Sequence, residues 1–127
     1  MASFQGSVHV LPITEIVTDN DFFDYAAKYE GKSQEITPAR LDEVTLELIQ
    51  KTSVEIYKKL NLNGVIRVDY IIEKGEPFVI EINTIPGFSE ESIIPKQLKT
   101  AHLKLSEVFE ICFINIQLFF CKFSQTN

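Results

Sequence analysis

Two apolar runs flank a short polar turn near the middle of the chain. Residues 65–72 (VIRVDYII) and 78–85 (FVIEINTI) are rich in Val, Ile, Tyr and Phe and enclose Glu73-Lys74-Gly75-Glu76. Short runs of this composition, bounded by Gly or Pro, predict strands, and the pair predicts a β-hairpin. Side chains alternate between the two faces of a strand. Ile66, Val68, Tyr70 and Ile72 therefore share one face of the first strand, with Arg67 and Asp69 on the other. On the second strand Phe78, Ile80 and Ile82 share a face, with Glu81 and Asn83 opposite. A three-residue loop, Lys74-Gly75-Glu76, sets Asp69 across from Glu81 and Arg67 across from Asn83.

The flanking chain predicts the support for this hairpin. Residues 8–17 (VHVLPITEIV) have strand composition, but Pro12 cannot donate to a ladder, so an edge strand or an interrupted one is expected. Glu15 points either into a site or into water. Residues 20–33 (NDFFDYAAKYEGKS) are too polar for a core and too aromatic for a linker, and read as a surface loop or a closing lid. Thr37-Pro38 offers an N-cap and a proline at the first helical position. Leu46, Ile49, Ser53, Ile56 and Leu60 then recur at helical spacing, predicting an amphipathic helix that ends near residues 61–64 and backs the hairpin. A loop over 87–95 leads to a short helix over 95–100, and a last helix begins near Ser106. Leu105, Val108, Phe109, Cys112, Ile116, Phe119 and Phe120 form its apolar stripe. Ile111, Phe113 and Leu118 lie off that stripe, so the helix is apolar nearly all round and calls for a partner chain or domain. The pattern is α+β: mainly antiparallel sheet, with a central hairpin backed by helices.

Composition narrows the function. A chain of 127 residues is one domain's worth, and 45% hydrophobic with 24% charged residues is ordinary for a globular core. A formal charge of −6 without any Lys/Arg cluster excludes non-specific nucleic-acid binding. Cys112 and Cys121 face nearly opposite sides of one predicted helix, so no bridge between them is expected and a reducing cytoplasm is the simple reading. The opening MASFQGSVHV lacks the charged-then-apolar pattern of a secretory signal. The apolar window 108–123 is broken by Glu110, Asn115, Gln117 and Lys122, so no membrane span is expected. His9 and His102 match no metal or triad spacing and read as surface residues.

An ordinary wetted sheet face explains Arg67, Asp69, Glu81 and Asn83 as cross-strand pairs. Their chemistry also fits a hard divalent cation, which takes carboxylate and amide oxygens. The second strand runs into Thr84-Ile85-Pro86-Gly87, whose backbone amides are free to meet an anion. Metal ligands beside an arginine suit phosphoryl transfer, which rests on positioning and charge neutralisation.

Taken together, Arg67-Val68-Asp69-Tyr70, then Glu81-Ile82-Asn83-Thr84-Ile85-Pro86-Gly87-Phe88-Ser89, then Ser92-Ile93-Ile94-Pro95 resemble the C-terminal signature of D-alanine–D-alanine ligases. The similarity runs from about Val10 to about Phe120. It implies the C-terminal part of an ATP-grasp domain, with residues 1–127 as that subdomain and the N-terminal and central ligase domains absent. The activity implied is ATP-dependent joining of two D-alanines through an acyl phosphate, a step toward peptidoglycan precursors. The cofactors implied are ATP and two Mg2+ ions, with Mn2+ as a substitute.

The resemblance also implies residue roles. Asp69 holds one Mg2+, Glu81 bridges both, and Asn83 completes the second, so Glu81 and Asn83 serve the nucleotide as well. Arg67 stabilises charge on the transferred phosphoryl group. The Gly87 amide helps hold the oxyanion, and Ser92 holds the carboxylate of the second D-alanine. From the residues alone, Ser92 reads as a helix N-cap or turn serine. Asp24-Tyr25-x-Ala27-Lys28-Tyr29 resembles the family's mobile loop, with Lys28 on the phosphates and Tyr29 beside the second D-alanine. Tyr29 favours an amino acid over a hydroxy acid as second substrate. No glycine-rich phosphate loop occurs here, so the isolated chain is expected to be inactive without its N-terminal ligase half, which is one implied partner. A homodimer is another. Competing readings are a different ATP-grasp carboxylate–amine ligase, and a non-catalytic fragment docking through its last helix. A metal-dependent phosphohydrolase lacks a candidate base.

Overall fold

The computed structural model describes residues 2–4, 7–18 and 33–124. Among the described residues the elements run in the order β1 (Ala2–Phe4), β2 (Ser7–His9), β3 (Glu15–Thr18), β4 (Ser33–Ile36), α1 (Glu43–Lys59), β5 (Arg67–Glu73), β6 (Glu76–Asn83), α2 (Ile93–Thr100) and α3 (Leu105–Ser124). The strands pair as three antiparallel two-stranded sheets, β1 with β2, β3 with β4 and β5 with β6.

The expected strand over 8–17 is divided at Pro12. β2 ends at His9, the chain runs irregularly through 10–14, and β3 begins at Glu15. Glu15 is partly exposed and is engaged by Arg40. Its carboxylate takes Arg40 Nη2 at 2.8 Å, Arg40 Nε at 3.0 Å and the Arg40 backbone N–H at 3.2 Å.

That contact belongs to a set which delays α1. The Ala39 N–H donates to Ile13 O at 2.8 Å, and the Thr14 and Thr37 hydroxyls lie 2.7 Å apart. These contacts hold residues 37–40 beside 13–15, and Thr37-Pro38 does not open the helix. Asp42 is the N-cap instead: its carboxylate accepts from Thr45 N at 2.9 Å and binds the Thr45 hydroxyl. The helix buries Thr45, Ile49, Ser53 and Tyr57, one face at four-residue spacing. It ends with Asn61 at φ +50°, where Asn61 N donates to Lys58 O and Leu62 N to Tyr57 O.

Two cores meet at the entrance to β5. Ile66 packs with Tyr57, Val54, Val68 and Ile82, joining the hairpin to α1 as expected. Its neighbour Val65 turns the other way, toward Leu11, Ile94, Leu98 and Val108. Side chains at adjacent extended positions point to opposite faces, so these two residues tie the halves of the molecule together. In α3, Val108 is buried and Phe109 lies against Phe88, with ring centroids 5.1 Å apart. Phe113 stays 66% exposed, in keeping with a helix that is apolar on several sides. Cys112 is a half-buried free thiol.

Candidate active site

Lys74 at φ +52° and Gly75 at φ +82° form a two-residue hairpin turn of the kind that demands two left-handed residues. The expected three-residue loop is not formed, since Glu73 pairs with Glu76. A two-residue turn alone would set Glu81 opposite Val68, on the apolar face. A β-bulge corrects the register: Tyr70 pairs with Val79 but Asp69 pairs with Glu81, leaving Ile80 as the extra residue. Beyond the bulge Arg67 pairs with Asn83, and the four polar side chains come to one face as the sequence pattern requires. The same shift moves Phe78 off the apolar face. It pairs with Ile71 on the polar side, and Val79 takes its place beside Tyr70.

Arg67 and Asp69 form a two-pronged ion pair, Nε to Oδ1 at 2.8 Å and Nη2 to Oδ2 at 3.0 Å. Their side chains are 18% and 30% exposed. The hydrogen bonds to Asp69 hold the Arg67 guanidinium more firmly protonated than usual; burial opposes this, and the charges of Asp69 and Glu81 reinforce it. Glu81 is exposed on the paired strand. Asn83 Oδ1 accepts from the Ile85 N–H at 3.1 Å, so the turn after β6 does not offer all its amides to an anion.

These donors fit a hard cation. All are oxygens, and each Asp69 oxygen and Asn83 Oδ1 retain a lone pair beyond the bonds named above. The face brings together two carboxylates and one amide, and among the described residues no group of three or more His, Cys, Asp or Glu gathers as a metal site.

The second cluster is Gly87 with Ser92. A Cβ at Gly87 would lie 2.8 Å from Ser92 Oγ, so the chain passes as close to this hydroxyl as a glycine permits. Ser92 is the N-cap of α2, which begins at Ile93 and not at Pro95 as the sequence pattern suggested. Its side chain makes no capping bond and instead meets the Ser89 hydroxyl at 2.8 Å. The sequence places Ser89 at the end of the signature run from Glu81 but gives it no role of its own. Lys28 and Tyr29 lie outside the described residues. A shallow groove between β2 and α1, lined by Val8, Val10, Val54 and Lys51 among others, contains none of the candidate residues.

The family described as "D-ala D-ala ligase C-terminus" matches residues 2–113. The chain belongs to that family. Its fold is accordingly α+β, the C-terminal part of an ATP-grasp domain. Among its relatives, the D-alanine–D-alanine ligase of Flavobacterium johnsoniae is 50% identical over 107 residues, which is 84% of this chain and 33% of that protein. That of Phocaeicola vulgatus is 52% identical over 100 residues, 78% of this chain and 31% of that one. The crystal structure of the Bacillus anthracis D-alanine–D-alanine ligase complexed with ATP superposes at a TM-score of 0.68, with 33% identity, covering 85% of this chain and 36% of that one. The chain spans about a third of the length of these ligase relatives.

Proposed function

We propose that the chain supplies metal-binding and second-substrate residues to the ATP-dependent joining of two D-alanines. The observation that carries this reading is the bulge-corrected register, which puts Arg67, Asp69, Glu81 and Asn83 on one face of the hairpin. Asp69, Glu81 and Asn83 would hold two Mg2+ ions, with Mn2+ an acceptable substitute. Bound there, the ions neutralise phosphate charge and orient the transfer. Arg67 uses two of its five N–H donors on Asp69, leaving others for the phosphoryl group. Gly87 and Ser92 would serve the oxyanion and the carboxylate of the second D-alanine, with Lys28 and Tyr29 closing over them.

Residues 1–127 then act as a C-terminal ATP-grasp subdomain that works with an N-terminal ligase half. Support for such a partner is the apolar surface left open on the hairpin and α3: Ile71, Phe78, Ile80, Phe113 and Ile114 are all exposed. No helix among the described residues is long and apolar enough to cross a membrane. A cytoplasmic location is part of the proposal, because the reaction would consume ATP.

Mn2+ tests the metal assignment, because its paramagnetism broadens nearby NMR signals. Titrating the chain with Mn2+ is expected to broaden the backbone resonances of Asp69, Glu81 and Asn83 first, and Glu81→Ala to remove the effect. Broadening confined to other acidic residues would contradict the assignment.

A further inference from the structure

Ser92 has the backbone of an N-cap, at φ −75° and ψ 155°, but not the side-chain bond of one. An N-cap serine ordinarily accepts from the amide two or three residues on. Three residues on stands Pro95, which has no N–H to give. The proline removes one of the two usual competitors for the hydroxyl, the other being the Ile94 N–H, and two contacts with Ser89 direct what remains. Ser92 N donates to Ser89 O at 2.8 Å, closing the turn, and the two hydroxyls lie 2.8 Å apart. The same oxygen lies 2.8 Å from the position a Cβ on Gly87 would take.

We propose that Pro95 and Ser89 are positioning residues that keep the Ser92 hydroxyl off the helix and beside Gly87, ready for a substrate carboxylate. This rests on the carboxylate-binding role given to Ser92 above. Ser89 fixes the direction of the hydroxyl, and Pro95 denies it the N–H three residues on. With Ser89 donating to Ser92, the Ser92 proton is left to point at an anion. A glutamine in place of Pro95 would restore the N–H and create the S-x-x-Q capping pattern, drawing Ser92 back onto α2.

The test is a D-alanine titration of the full chain followed by NMR, with thermal unfolding to confirm that each variant folds. Ser92→Ala, Ser89→Ala and Pro95→Gln are each expected to weaken D-alanine binding on the order of tenfold, as for loss of a hydrogen bond to a charged group. Ser89→Thr keeps the hydroxyl and is expected to keep binding. Pro95→Gln is expected to leave the unfolding midpoint unchanged or raised, and to add no further loss to Ser92→Ala. If Ser92→Ala weakens binding while Pro95→Gln and Ser89→Ala do not, the positioning role is wrong and the carboxylate role stands. A titration that D-alanine leaves flat, or that Ser92→Ala leaves unchanged, overturns the carboxylate role and the positioning role with it.

Discussion

Arg67 grips both carboxylate oxygens of Asp69 along a single strand, at 2.8 and 3.0 Å. The two residues are separated by one position, so they share the face that also carries Glu81 and Asn83. The guanidinium therefore fixes the orientation of one acid while offsetting the charge of both. The planar fork is what makes this work, since it binds a carboxylate at two points and leaves further donors outward.

Arg67→Ala is expected to lower stability by about 1 kcal/mol, the upper range for a partly exposed pair, because Asp69 and Glu81 then face each other without a cation. Arg67→Lys keeps the charge but not the fork, and should recover only part of the loss. Urea unfolding of the three proteins at neutral pH measures both effects.

The pH dependence at the alkaline end has a specific source. Tyr57 is buried between α1 and the hairpin, its hydroxyl donates to Gly64 O at 2.7 Å, and burial pushes its pKa up to about 12. The folded value lies above the ordinary value of 10.0, so this contribution is fully present below pH 10.0 and is lost as pH rises through about 12. Tyr57→Phe should flatten the alkaline decline in unfolding midpoint, and should cost about 1 kcal/mol at neutral pH for the missing hydrogen bond.

His102 is a helix-ending residue in an unfavourable place. It follows α2 at φ +56°, with His102 N bonded to Lys99 O and Leu103 N to Leu98 O. That arrangement prefers glycine, which has no Cβ to clash in the left-handed region. His102→Gly is expected to stabilise the chain by roughly 0.5–1 kcal/mol, read as a raised midpoint in thermal unfolding.

What the sequence made legible followed from short-range pattern. Alternation over 65–72 and 78–85 located the hairpin and the shared face of Arg67, Asp69, Glu81 and Asn83, and Gly75 marked its turn. The turn length and the bulge were not legible separately, because a two-residue turn with an extra Ile80 gives the same pairing at the polar end as a three-residue loop. Phe78 exposed the difference by changing faces. The sequence pattern places the start of α1 too early because Thr37-Pro38 has the local look of a helix start; contacts from 13–15 to 37–40 hold that segment beside β3 and leave Asp42 as the cap. β4 escaped notice because Ser33-Gln34-Glu35-Ile36 has no apolar alternation. Ser92 was legible as an N-cap by position, but its hydroxyl's direction depends on Ser89 and on what Pro95 lacks.

The metal-binding role proposed for this hairpin face in D-alanine ligation can be tested in a chimera. The most direct measurement replaces the matching third of the Flavobacterium johnsoniae ligase with this chain and assays D-alanyl-D-alanine formation. Product is expected that requires ATP and Mg2+, reduced on the order of 100-fold or more by Glu81→Ala in the same chimera. A folded, ATP-binding chimera that makes no product, or one that Glu81→Ala leaves fully active, would contradict it.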